Sequence, residues 1–428
     1  MVYQEIPASV KNFMNTITEK CQEHPRWAEN FNACFANTLL TTVKRQEDGT
    51  TFVLTGDIPA MWLRDSTAQV RPYLAIAKED SDIGDMIEGL VEKQFQYIQL
   101  DPYANAFNET ANHAGHQTDH TKMNPWIWER KYEIDSLCYP LQLSYLLWKA
   151  TGRTTQFNQT FKAAVNEVLT VWEIEQDHNR SAYQFERDTT REEDTLVNRG
   201  RGTEVAPTGM TWSGFRPSDD RCIYHYLVPS NMFAVVVLDY LKEIFEMILK
   251  EEELIPRITA LREAIQEGIE KYGKTTNKAG ETVFAYEVDG LGNASLMDDS
   301  NVPNLLAAPY LGYCSPEDEV YLTTRKTLLS SENPFFYEGE FAKGIGSSHT
   351  PENYIWPIAM AMEGLTTSDK SEKERILNTL VATDGGTNLM HEGFDVNDPN
   401  QYTREWFSWA NMMFCELVMD YFDIQIEK

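Results

Sequence analysis

Six times along the chain a polar loop ending in Ser, Thr or Asp leads directly into a strongly apolar stretch with helical spacing. That repeat limits the possible folds more than any other feature. The starts are Arg64-Asp65-Ser66 before Thr67 to Ile76, Ile134-Asp135-Ser136 before Leu137 to Trp148, and Val228-Pro229-Ser230 before Asn231 to Ile244. Three more are Asp298-Asp299-Ser300 before Val302 to Leu311, His349-Thr350-Pro351 before Glu352 to Met362, and Phe407-Ser408 before Trp409 to Phe422. A short polar side chain at such a start can accept a hydrogen bond from the helix's first free N–H groups, which makes positions 66, 136, 230, 300, 350 and 408 the expected N-caps. Their spacings of 70, 94, 70, 50 and 58 residues each leave room for one returning helix. A stretch such as Ile355 to Met362 is apolar nearly all round and has to be buried on both sides, whereas Ile83 to Tyr97, Ile258 to Tyr272 and Ser371 to Leu380 are amphipathic. Six buried helices inside six solvated ones make an all-α (α/α)6 barrel. The whole of 1–428 is then expected to be one domain, although roughly 150 residues per domain favours two or three.

Charge and composition narrow the function. The chain has 66 acidic and 37 basic residues, a net charge of −29, and no Lys/Arg-rich block. Such a surface repels nucleic acid and anionic lipid, so neither is expected as a partner. The opening Met-Val-Tyr-Gln-Glu-Ile-Pro lacks the basic and apolar regions of a secretory leader, and no run of 18 apolar residues occurs. A cytoplasmic protein is expected. Six cysteines scattered singly fit reduced thiols there. HExxH, GxxxxGK[ST], GxGxxG after a strand and GxSxG are all absent from the sequence. His113, His116 and His120 lack a standard zinc spacing and are read as a hydrogen-bonding loop. No metal and no cofactor are expected.

If the buried helices run parallel, the loops that feed them gather at one end, where helix dipoles favour carboxylates and hydroxyls. The segment from about Asp188 to Pro229 has little helical period, and a long irregular segment in a compact domain is commonly functional. These loops are rich in carboxylates beside aromatics: Asp65, Glu129, Asp135, Asp219, Asp220, Asp298, Asp299, Glu392 and Asp395, with Trp62, Trp212, Phe215 and Trp406. Glycoside hydrolysis needs an acid, a base and flat faces for sugar rings. Asp65 and Asp135 sit next to helix starts and read as capping or substrate-orienting groups. Asp219, Asp220 and Glu392 lie in loop bodies and are the better candidates for proton transfer.

Three segments carry a resemblance: Gly56-Asp57-Ile58-Pro59-Ala60-Met61-Trp62-Leu63-Arg64-Asp65-Ser66, Ser213-Gly214-Phe215-Arg216-Pro217-Ser218-Asp219-Asp220, and Met390-His391-Glu392-Gly393-Phe394. In this order they resemble glycoside hydrolase family 125 over essentially the whole chain. The resemblance implies an (α/α)6-barrel, inverting, metal-independent exo-α-1,6-mannosidase, many of whose relatives are bacterial. Its substrate would be an N-glycan-type manno-oligosaccharide, and the unexported opening of the chain adds the expectation that it acts on oligosaccharides already taken into the cell. It places the general acid within Arg216 to Asp220, with Asp219 favoured and Asp220 the alternative, and the general base on Glu392. An inverting pair should stand about 6.5 to 9.5 Å apart, leaving room for a water. The resemblance also implies a sugar-binding shell of Trp62, Arg64, Asp65, Glu129, Asp135, Arg216, Asp220, His349, Asn353 and Trp406, with buried packing the alternative role for Trp62 and loop-bracing hydrogen bonds the alternative for Glu129, Asp135, His349, Asn353 and Trp406. Another barrel glucosidase, trehalase or phosphorylase, a glycan-binding helical scaffold, and a zinc-dependent barrel enzyme stay open as alternatives. Oligomeric state is not legible.

Overall fold

The computed structural model describes residues 3–426. Helices dominate, joined by irregular loops and by strands of two to six residues. Strands this short show no readable period-two pattern, which is why the sequence does not announce them. The described chain forms two compact units. One comprises residues up to Gln94, Leu143–Gln156 and Phe336 onward; the other comprises Phe95–Gln142 and Phe157–Phe335.

In the first unit the Ser408–Tyr421 helix is buried from Ser408 through Met419. It packs against Pro25–Thr41, Leu63–Val70, Pro357–Leu365 and Lys370–Ala382. The Pro25–Thr41 helix offers a stripe of Trp27, Phe31, Phe35, Thr38 and Leu39, spaced for one helical face. Pro357–Leu365 is buried from Pro357 to Gly364, as its uniformly apolar sequence demands. Gly364 permits the close approach, since a Cβ there would meet Leu417 Cδ1 at 2.6 Å. In the second unit the Val228–Ile244 helix is buried from Val228 to Leu238, and Ile255–Tyr272 packs against it with Ile258, Leu261, Ile265 and Ile269.

The expected caps are corrected by the structure. The helix expected from Ser66 begins at Leu63, that from Ser230 at Val228, and that from Thr350 at Pro357; their N-cap residues are Trp62, Leu227 and Trp356, none of which makes a side-chain cap bond. Ser136 likewise lies inside Ile134–Thr151, and Ser408 is the first helical residue after Phe407. Four of these helices follow short pairings at Met61–Trp62, Tyr226–Leu227, Tyr354–Ile355 and Phe407, so the chain enters already extended and its backbone is partly satisfied. The Ser66 hydroxyl instead donates back to the Trp62 carbonyl at 2.7 Å. Side-chain caps occur on the amphipathic helices: Asn158 before Gln159–Glu175, Asp318 before Glu319–Leu328 and Asp369 before Lys370–Ala382. A second correction concerns Val302 to Leu311, where only Ala308–Leu311 is helical. The buried Asp298 carboxylate accepts from the N–H groups of Leu305 and Leu306 at 2.8 and 3.0 Å, holding that backbone in a turn.

Candidate active site

The segment from Asp188 to Pro229 lies in the second unit and is irregular apart from single turns at Glu192–Asp194 and Val197–Gly200 and the strand Tyr226–Leu227. Its order comes from buried polar pairs. Arg216 Nε donates to Glu287 Oε1 at 2.6 Å, and Glu287 Oε2 accepts from the N–H groups of Ile223 and Tyr224 at 3.0 and 3.2 Å. Burial pushes the Glu287 carboxyl up, but Arg216 and these backbone donors outweigh it and hold its pKa below the usual value. The Tyr226–Leu227 strand pairs with Glu287–Val288, which sets Glu287 under the loop.

Asp219 and Asp220 are separated by what they face. Asp220 is fully buried, and both its oxygens accept from Arg191 Nη2, at 2.8 and 3.0 Å. Asp219 is half-buried and sits at φ +65°, in the left-handed region. Its N–H donates to the Arg216 carbonyl at 2.9 Å and Lys131 Nζ donates to the Asp219 carbonyl at 2.7 Å, which together hold the turn. Its carboxylate accepts from Asn105 Nδ2 at 3.2 Å, and the same amide nitrogen donates to Glu129 Oε1 at 3.0 Å. The like-charged neighbour brought to Asp219 is therefore Glu129, whereas the Asp220 carboxylate is turned onto Arg191.

Glu129 ends the Ile127–Glu129 strand, which pairs with Ala106–Phe107 so that Ala106 stands opposite Glu129. Arg187 Nη2 donates to Glu129 at 2.8 Å and, with Nε, forks onto Asp119. Lys131 Nζ lies 3.7 Å from Glu129 and donates to Asp194 at 3.0 Å. Burial raises the Glu129 pKa and Asp219 adds to it, yet Lys131 and Arg187 win, so Glu129 stays ionised. The implied sugar-binding shell thus divides. Glu129, Arg216 and Asp220 are buried residues that brace the loop around Asp219 through ion pairs. Asp135 is buried in the first turn of its helix. Trp212 and Phe215 are core residues rather than exposed platforms: Trp212 stacks on His178 and His225 with centroids 3.6 and 4.6 Å away. His116 Nε2 lies 3.7 Å from Glu129, and His120 Nε2 lies 3.2 Å from Asp188.

In the first unit Glu392 immediately precedes the Gly393–Asp395 strand, which lies between Tyr354–Ile355 and Asp398–Thr403. That register brings Thr403 opposite Gly393, and the Glu392 N–H donates to the Thr403 carbonyl at 3.2 Å. Arg404, next along, has Nη1 3.7 Å from the Glu392 carboxylate. Asp57 anchors Arg404 through Nε and Nη2 at 2.9 and 2.5 Å. Burial lowers the Arg404 pKa, but Asp57 and Glu392 overcome it, and the guanidinium stays charged. Gly56, beside Asp57, bridges Phe407 at φ +142°, and a Cβ there would meet the Trp406 carbonyl oxygen at 2.3 Å. The Gly56–Ser66 segment is thus bound to the segment before the last helix by a contact only glycine permits.

Asp65 and Arg64 are both buried in the first turn of Leu63–Val70; Asp65 accepts from Thr55 Oγ1 at 2.5 Å and stands 3.4 Å from Arg64 Nε. The indole N–H groups of Trp62 and Trp406 are buried with no acceptor among the described residues. His349 is half-buried with its ring 6.2 Å from Trp356, and Asn353 is exposed at φ +66°. Sequence reasoning missed Asn105, Lys131, Arg187 and Arg191 around Asp219, and Asp57 and Arg404 around Glu392. Lys131 had a readable signal, because a residue two places after Glu129 on an extended chain shares its face. Asp57 lay inside a quoted motif. Each half now presents a carboxylate held by a charged or amide partner, the equipment of acid–base hydrolysis.

Residues 24–419 match the family model described as metal-independent α-mannosidase, glycoside hydrolase family 125. A metal-independent α-mannosidase of Streptococcus pneumoniae, solved as a non-productive complex with α-1,6-mannobiose, is 60% identical; the match covers 99% of this chain and 100% of that one, with a TM-score of 0.98. The meiotically up-regulated gene 157 protein of Schizosaccharomyces pombe is 36% identical over 438 residues, covering 96% of this chain and 85% of the yeast protein. A bacterial glucoamylase bound to acarbose is alike in fold alone, at 11% identity and TM-score 0.61 over 97% of this chain and 58% of that one. The chain belongs to glycoside hydrolase family 125 and is a metal-independent α-mannosidase.

Proposed function

We propose that this α-mannosidase is an inverting exo-enzyme that removes α-1,6-linked mannose from the non-reducing end of N-glycan-type manno-oligosaccharides, with Asp219 as general acid and Glu392 as general base. The observation that carries the assignment of the acid is the division of labour between the paired aspartates. Asp220 is committed to Arg191, while Asp219 is half-exposed on the neutral amide of Asn105 with ionised Glu129 beside it. A carboxyl group that has to carry a proton before turnover gains from a like-charged neighbour, which penalises its ionised form. In the proposed step Asp219 protonates the glycosidic oxygen while Glu392 takes a proton from a water attacking C1 on the opposite face. Arg404, anchored on Asp57, orients the Glu392 carboxylate and remains charged throughout.

Sugar recognition is assigned to Arg64 and Asp65, whose donors and acceptors suit adjacent hydroxyls, and to the indole N–H groups of Trp62 and Trp406. His349 and Asn353 belong to the same shell in this reading. The bound α-1,6-mannobiose of the pneumococcal relative supports the linkage. We also assign the chain to a single (α/α)6-barrel domain acting in the cytoplasm; the glucoamylase-like fold supports the barrel, and six free cysteines fit a reducing compartment. Proton NMR of α-1,6-mannobiose hydrolysis tests the chemistry. β-Mannose is expected as the first product; α-mannose appearing first would overturn inversion, and no release of mannose would overturn the linkage.

A further inference from the structure

The second unit has another feature that the hydrolytic reading leaves unused. Gln99 to Tyr103, Thr121, Lys122, Arg130 and residues of the Gln159–Glu175 helix and the chain after it line a cavity of about 600 Å³. Arg130 lines it and is only 7% exposed. Its Nε donates to Asp101 Oδ2 at 2.7 Å and its Nη1 to Thr121 Oγ1 at 2.9 Å, but Nη2 donates to no described residue. The stacked rings of Tyr103 and Tyr183, 5.0 Å apart, each hold the guanidinium centre at 5.3 Å and fix its plane. A guanidinium buried this far normally has acceptors for its N–H groups, so Nη2 is a donor left for a ligand. The same strand explains its direction. Glu129 and Lys131 turn to the Asp219 side, and alternation along an extended chain sends Arg130 the other way.

The other charged groups lining the cavity select the ligand. Lys122 and Arg180 are exposed there, and neither pairs with a described residue. Against these three cations stand Asp101, already engaged by Arg130, and Glu167. The balance is positive in a chain whose net charge is −29. An acceptor-rich anion fits, and a phosphate group offers three oxygens to a guanidinium edge. The volume exceeds what phosphate alone fills and lies within the range of about 300 to 1,000 Å³ typical of small-molecule sites. Pro102, Val171 and Ile174 supply apolar wall for a carbon skeleton. We propose that this cavity is a second ligand site that binds a phosphate monoester of a small sugar.

Calorimetric titration of the intact protein with glucose 6-phosphate, inorganic phosphate and glucose tests this. The ester is expected to bind at one site with a Kd below about 1 mM, with phosphate about tenfold weaker and glucose silent. K122A/R180A, which changes two exposed residues, should weaken the ester by at least about tenfold while α-1,6-mannobiose turnover is kept as evidence of folding. Arg130→Gln should remove binding. No saturable heat up to about 10 mM ester, or unchanged affinity in K122A/R180A, overturns the site. Glucose binding as tightly as its ester overturns the anionic class, and phosphate binding as tightly as the ester overturns the sugar component.

Discussion

Asp219 is held in a backbone conformation that costs a non-glycine residue on the order of 1 kcal/mol, and the Arg216 carbonyl and Lys131 ammonium group keep it there. Strain retained at a half-exposed carboxylate fits a group whose direction matters more than its comfort. Asp219→Asn and Glu392→Gln should each lower kcat by about 10² to 10⁴ with the melting temperature unchanged. Asp220→Asn should do the reverse, with the larger effect on stability, because it strips the buried partner from Arg191. Kinetics and thermal melts on the three variants separate the two aspartates. A second residue-scale expectation concerns His225, which is fully buried. Its Nδ1 donates to the Ser213 carbonyl at 2.8 Å and its Nε2 accepts from the Thr203 N–H at 3.0 Å, so both nitrogens are satisfied only in the neutral ring. Burial pushes its pKa down to about 4. Below about pH 6.5 the unfolded chain takes up a proton that the folded one refuses until about pH 4. Stability is therefore complete above 6.5 and falls through that window, by about 3 kcal/mol in all at the acid end. Melting temperature against pH should decline between 6.5 and 4, and His225→Gln should flatten the decline.

At the scale of elements, the buried and the solvated helices begin by different means. Three of the amphipathic helices carry their own caps at Asn158, Asp318 and Asp369, whereas the amphipathic Ile255–Tyr272 helix follows Leu254 with no side-chain cap bond. Four of the buried ones emerge from short strands or bridges, and Ser66, Ser136, Ser230 and Ser408 lie inside their helices rather than capping them. Ser230 shows the difference most simply, since its hydroxyl is buried with no partner among the described residues. Asp318→Ala should cost about 1 kcal/mol in urea unfolding, whereas Ser230→Ala should cost nothing or stabilise slightly. Equal losses would restore Ser230 as a cap. Reading helix existence from periodicity succeeds here because the apolar spacing is needed for burial. Reading helix starts fails because a neighbouring strand does the work that a cap side chain would do.

At the scale of the whole molecule, the acidic excess acts as self-repulsion. Raising NaCl from about 10 to about 300 mM at pH 7.5 should raise the melting temperature by a few degrees, since the Debye length shrinks from about 30 Å to below 10 Å. A drop would mean that surface ion pairs outweigh the net charge. The helical class, the apolar helices and the three motifs were legible in the sequence because each is written in residues close together along the chain. So was the family, and with it Asp219 and Glu392 as the carboxylates of interest. What engages those carboxylates was not legible. Lys131 reaches Asp219 across 88 residues, Arg191 reaches Asp220 across 29, Arg216 reaches Glu287 across 71, and Asp57 reaches Arg404 across 347. Local periodicity is imposed by the helix itself and survives in a linear text, whereas the partner of a buried charge is chosen by which segments folding brings together. That choice decided which aspartate is tied down, which aromatics are core, and which arginine is left with an open edge.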